Sequence, residues 1–175
     1  MTWRAVDGPV PAEPVTGPVD VAEVLIEGPW RHRFVAANGA RFHVAEAGIG
    51  PLVVLLHGFP QFWWAWRHQL PALAAAGYHV IVPNQRGYGN SSRPAEVTGY
   101  DIAHLSGDLV ALLDHYGYAD ATFVGHDWGA FVVWGLTLLH PKRVNGVVAL
   151  SVPYQERGER PWIESMEAVL GPTST

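Results

Sequence analysis

Four continuous apolar runs, PLVVLLHG (51–58), YHVIVPN (78–84), ATFVG (121–125) and VNGVVALSV (144–152), alternate along the chain with segments of helical periodicity. No other feature narrows the possible folds as much. A strand covered on one face alternates apolar with polar residues, whereas an unbroken apolar run is suited to burial on both faces. Such strands, separated by helices, form a mainly parallel sheet with helices on both sides, an α/β fold. The intervening segments fit. FWWAWRHQLPALAAAG (62–77) reads as one helix ending at Gly77. DIAHLSGDLVALLDHYG (101–117) reads as a second, with Asp101 at its start and Gly117 as its stop. WGAFVVWGLTLLH (128–140) reads as a third, closed by Pro141. Before them, RHRFVAANGARFHVAEAG alternates around Asn38-Gly39 and predicts a β-hairpin with strands 33–36 and 41–46.

The chain divides into three parts: a Pro/Gly-rich arm (1–29), the α/β core (30–154) and a tail (155–175). Within the arm, VAEVLIEG reads as a short strand or a turn of helix; within the tail, 162–170 reads as helical. With 175 residues, 49% of them hydrophobic, there is material for one core. A net charge of -5 gives no reason to expect nucleic acid or an anionic membrane as partner. The absence of cysteine excludes disulfides and thiolate chemistry. No basic segment followed by an apolar region marks a secretory signal, and no apolar run is long enough to span a bilayer. A cytoplasmic protein is therefore expected.

Sites in α/β sheets lie at the carboxyl ends of the strands. Three loops leave those ends: HGFPQ (57–61), NQRGYGNSS (84–92) and HDWGA (126–130). The last carries the chemistry. Gly125-His126-Asp127-Trp128-Gly129-Ala130 has the small-x-nucleophile-x-small-small spacing of a nucleophile elbow, where strand and helix approach too closely for larger residues. The competing reading makes Asp127 a helix N-cap, but a cap does not call for small residues on both sides. RGYGNS lacks the glycine pattern of a phosphate loop. His32, His43, His68, His79, His104 and His115 show no ligand spacing, so no metal is expected.

HGFPQFWWAWRHQLPALAAAGYHVIVPNQRGYGNSSRP, VGHDWGA and LSVP resemble, in order and spacing, the epoxide hydrolases of the α/β-hydrolase superfamily. The resemblance covers about residues 29–154. It implies Asp127 as the nucleophile and the backbone N–H groups of Phe59 and Trp128 as the oxyanion hole. His57, Gly58, Pro60, Gly125, His126 and Gly129 would shape the motifs, with a cis peptide at Phe59-Pro60. Trp128, Phe59 and Trp63 would contact a small hydrophobic epoxide, although helix packing is the default for Trp63, Trp64 and Trp66. No cofactor is implied. A carboxylate is ionised at neutral pH and needs no base to attack a saturated carbon; hydrolysis of the resulting ester then passes through an oxyanion. Asn84 departs from the Asp common at this strand end and reads as a structural change.

Haloalkane dehalogenases are the alternative. They also use Asp-Trp, but usually carry Asn or Glu where this chain has Phe59, which offers no side-chain donor. Fluoroacetate dehalogenases typically have Arg at the position of Trp128, and serine esterases Ser at that of Asp127. The family mechanism also uses a histidine with a carboxylate partner, and tyrosines from a helical cap. In relatives these follow LSVP, so the expectation is that base, acid and cap tyrosines lie outside this sequence. The chain is then an incomplete α/β-hydrolase domain, poorly active alone, with 155–175 as the stub of a cap. A non-catalytic fragment that binds hydrophobic ligands or a partner is the remaining alternative. The strand between Val144 and Val152 would be an open edge, inviting a homo-oligomer or a complementary chain.

Overall fold

The computed structural model describes residues 25–154; the sequence expectations for most of the arm and for the tail lie outside the described residues. The elements are β1 (Arg31–Ala37), β2 (Ala40–Ala47), β3 (Leu52–Leu56), α1 (Gln69–Ala75), β4 (His79–Pro83), α2 (Ile102–Tyr116), β5 (Ala121–His126), α3 (Trp128–Leu139) and β6 (Val144–Leu150). They build a six-stranded sheet in the order β1-β2-β4-β3-β5-β6. β1–β2 and β2–β4 pair antiparallel; β4–β3, β3–β5 and β5–β6 pair parallel. The hairpin forms as expected, because Asn38 (φ 47°) and Gly39 (φ 69°) supply the two positive φ values that a two-residue turn of this twist demands.

Both faces of the central strands are covered, which is why their sequences do not alternate. Leu52, Val54, Leu56, Ile81 and Phe123 pack under α2 and α3 against Leu109, Leu113, Val133 and Leu136. Val53, Leu55, Val80 and Val82 pack on the other side against Trp63, Trp66 and Leu70. Each such side chain contributes about 1.5–3 kcal/mol of transfer free energy. β6 is different: Val148 (47% exposed) and Leu150 (42%) remain open, and β6 is the sheet's edge among the described residues.

The helix expected over 62–77 is two pieces, a 3-10 turn at Trp63–Trp66 and then α1. Pro71 is the reason. In a continuous helix it would lack the N–H for the residue 67 carbonyl and clash with it; restarting at Gln69 puts Pro71 in a first turn, where no N–H is needed. α2 begins and ends as expected: Asp101 Oδ1 accepts from His104 N–H at 2.8 Å, and Gly117 turns left-handed (φ 76°). No described helix is long and apolar enough to cross a membrane.

Two buried polar networks tie the loops to this frame. Asp108 on α2 accepts from Arg86 Nε (2.7 Å), Arg86 Nη2 (2.5 Å) and Asn38 Nδ2 (2.8 Å), joining the hairpin turn to the loop after β4. At the other network, Asn84 Oδ1 accepts from Trp63 N–H (2.8 Å), which leaves Asn84 Nδ2 to donate to His43 Nδ1 (3.0 Å). His43 Nε2 must then donate to His32 Nδ1 (2.9 Å), and His32 Nε2 to the Ile26 carbonyl (2.9 Å). Every donor is matched only with both rings neutral. Burial accordingly lowers the His43 pKa to about 4, with the His32 ring lowering it further.

Candidate active site

The carboxyl ends of β3, β4 and β5 converge on Asp127. It sits between β5 and α3 at φ 52°, ψ -119°, a conformation rare for a residue with a side chain. The surrounding glycines make this turn sterically possible. A Cβ on Gly125 would lie 2.5 Å from the Gly129 carbonyl oxygen, and one on Gly129 would lie 2.5 Å from the Leu56 oxygen and 2.8 Å from that of His57. A Cβ on Gly58 would strike Asp127 itself, 2.6 Å from Oδ1. The strap 57–61 thus rests directly on the elbow. Gly129→Ala is expected to cost about 1–3 kcal/mol, because backbone rather than a movable side chain is in the way. Urea unfolding of the variant, with an unchanged m-value, checks this.

The Asp127 side chain does not cap α3: it makes no capping hydrogen bond, and the first-turn N–H of Ala130 goes to the Asp127 carbonyl instead. Its carboxylate points to the strap, where Oδ1 accepts from Phe59 N–H at 2.9 Å. The N–H groups of Phe59 and then Trp128 hold the carboxyl pKa below its ordinary value; partial burial opposes them and the nearby His126 adds to the lowering. Asp127 is therefore ionised, with Oδ1 held by the Phe59 N–H.

The strap is braced from below. His57 is fully buried, and burial lowers its pKa to about 4. Its Nε2 accepts from Gln85 N–H (3.1 Å), so Nδ1 carries the proton and donates to the Gly58 carbonyl (3.0 Å). Gln85 Nε2 donates to the His57 carbonyl (2.5 Å). Gln61 closes the strap: its N–H donates to the Gly58 carbonyl (2.9 Å), and its Oε1 accepts from Gly58 N–H (3.3 Å) and His126 Nδ1 (3.2 Å). With both ring nitrogens engaged, His57 is a structural imidazole.

Of the residues expected at the site, the structure brings together Asp127, Phe59, Trp128, Gly58, His126, Gly125 and Gly129, and Phe59-Pro60 is cis. Phe59 (72% exposed) and Trp128 (44%) stand open, with Trp128 against Phe131, ring centroids 5.8 Å apart. Trp63 does not join them. It is fully buried among Trp30, Trp64 and His32, its indole committed to the core, so a pocket role for it is corrected to packing. Gln61, Gln85 and Tyr88 were missed. Tyr88 packs edge-on against His57, ring centroids 4.8 Å apart, and burial together with the Asp127 charge raises its hydroxyl pKa. The only signal for these three was their place in the loops after β3 and β4. No cluster among the described residues could hold a metal ion.

The α/β-hydrolase fold family model matches residues 51–167, and the chain belongs to that family. Within it, close curated relatives are epoxide hydrolases. The chain is 53% identical over 141 residues to epoxide hydrolase A of Mycobacterium tuberculosis, covering 79% of this chain and 44% of that protein. Epoxide hydrolase 3 of Siraitia grosvenorii is 44% identical over the same length, with 45% of it covered. Among solved structures, epoxide hydrolase A from Mycobacterium thermoresistibile superposes with a TM-score of 0.80 at 50% identity, covering 82% of this chain and 46% of that one. The chain thus spans less than half the length of the relatives it matches.

Proposed function

We propose that Asp127 is the nucleophile of an epoxide-opening hydrolase, with the backbone N–H groups of Phe59 and Trp128 as its oxyanion hole. The observation that carries this is the 2.9 Å contact from Phe59 N–H to Oδ1 of an aspartate held at positive φ without a capping role. Oδ1 is held by the Phe59 N–H, which leaves Oδ2 as the attacking oxygen. Its lone pair forms a C–O bond to an epoxide carbon while the ring C–O bond breaks, and the alkoxide takes a proton from water. The product is an ester on Asp127. Water, giving a proton to the hydroxide left by ring opening, adds to the carboxyl carbon and places the developing negative charge on Oδ1, where the Phe59 N–H already lies; collapse expels the diol and restores the carboxylate. The apolar rings of Trp128, Phe131 and Phe59 favour a small hydrophobic epoxide. The proposal takes 30–154 as part of the catalytic core, 155–175 as the start of a cap, and the cytoplasm as the compartment.

Intact-mass measurement after incubation with styrene oxide tests the reading. One added epoxide mass on the wild type, and none on Asp127→Asn, is expected. Halide release from a bromoalkane without an epoxide adduct would favour dehalogenation instead, against which Phe59 lacks a side-chain donor. A second role rests on β6: the exposed Val148 and Leu150 on an edge strand suit pairing with a second copy or a complementary chain.

A further inference from the structure

Gln85, at the mouth of β4, is buried, and it places two N–H donors on one residue of the strap. The consequence follows from peptide planarity. The Gly58 carbonyl and the Phe59 N–H belong to the same trans peptide unit and point in opposite directions. Whatever holds that carbonyl therefore aims that N–H. The carbonyl accepts from His57 Nδ1–H and Gln61 N–H on one side, and Phe59 N–H reaches Asp127 Oδ1 on the other. The His57 contact exists only if its ring carries the proton on Nδ1. A neutral imidazole has one N–H, and Gln85 N–H, facing Nε2, leaves that nitrogen no role but acceptor. The side-chain amide of Gln85 meanwhile holds the His57 carbonyl, which lies against Gly129.

We propose that Gln85 is a positioning residue for the oxyanion hole: its backbone N–H locks His57 as the Nδ1–H tautomer, its side-chain amide holds the His57 carbonyl in place, and both are needed to fix the Gly58–Phe59 peptide with its N–H on Asp127. The inference deepens the nucleophile reading and rests on it for its catalytic meaning, but the geometry can be tested without turnover. Gln85→Met keeps the length and bulk of the side chain and the backbone N–H, and removes only the donor to the His57 carbonyl.

NMR of the chain with 15N-labelled histidine reports the tautomer directly, and the Phe59 amide reports its contact through a pH titration that follows Asp127. The wild type is expected to show the Nδ1–H tautomer at neutral pH and a Phe59 amide that titrates with Asp127. In Gln85→Met that amide response is expected to shrink at least twofold and the Asp127 pKa to rise, at an unchanged fold. The ester formed from styrene oxide should also hydrolyse about tenfold more slowly, short of the 100- to 1,000-fold that loss of a whole donor costs, while its formation stays within about twofold, because attack through Oδ2 does not use the hole. An Nε2–H tautomer in the wild type, or an unaltered Phe59 titration in Gln85→Met, overturns the proposal. Failure of the wild type to form an ester would sink the nucleophile reading while leaving the tautomer result standing.

Discussion

Stability is expected to fall steeply as the pH drops from about 6.5 to about 4. His43 and His57 are buried neutral, each with a pKa lowered to about 4, against about 6.5 in the unfolded chain. Between those values the unfolded state binds more protons, so protonation favours unfolding. The full stability is present above the unfolded value, is lost as the pH falls toward the folded one, and changes no further through these rings below it. Each ring contributes a slope of up to about 1.4 kcal/mol per pH unit, and the two together on the order of 5 kcal/mol over the window. That is comparable with the whole stability of many domains, roughly 5–15 kcal/mol. His79, lowered chiefly by burial, acts in the same direction. The structural cause is explicit. A second proton on His43 sets N–H against the Asn84 amide, and one on His57 sets N–H against Gln85 N–H. Urea unfolding at half-unit pH steps measures the slope, and His43→Gln should have close to half of it whatever its starting stability. A flat profile from pH 6.5 to 4.5 would contradict the neutral networks.

Asp108→Ala is expected to cost about 3–5 kcal/mol, because it strands the Arg86 guanidinium in the interior. Arg86 would keep only its bond from Nη1 to the Gly99 carbonyl, and Asn38 would lose its bond to the helix side chain. The loss comes from the unpaired charge more than from the attraction removed. Arg86→Met combined with Asp108→Leu should therefore recover most of it. A shift in urea midpoint with an unchanged m-value reads the effect, and a double variant as weak as Asp108→Ala would point to packing rather than charge.

The sheet and the elbow were legible because their causes are local. Unbroken apolar runs mark β3, β4 and β5, and the small residues around Asp127 are forced by backbone contacts within the turn itself. Pro71 was legible too, and the split at Gln69 follows from it; helical periodicity masked a breaker that was in plain view. Trp63 shows the opposite case. Helical periodicity made packing its default, but its neighbours Trp30, just before β1, and His32 and His43, from the hairpin, are distant in sequence, so no local pattern could settle core against pocket. His32 and His43 could have been paired from the hairpin register alone, since His32 faces Ala45 and Phe34 faces His43, which sets the two imidazoles two positions apart across the strands. Gln85 could not. Its meeting with His57 depends on β4 lying beside β3, a sheet order that the sequence leaves open.

The carboxylate of Asp127 is the group on which the chemistry turns. Peptide mapping of the chain after reaction with styrene oxide addresses it most directly. The added mass is expected on the peptide that contains Phe123 to Ala130, at Asp127, removable by hydroxylamine as an ester and missing from Asp127→Asn. An adduct located on a histidine or tyrosine, or one that persists in Asp127→Asn, would contradict it.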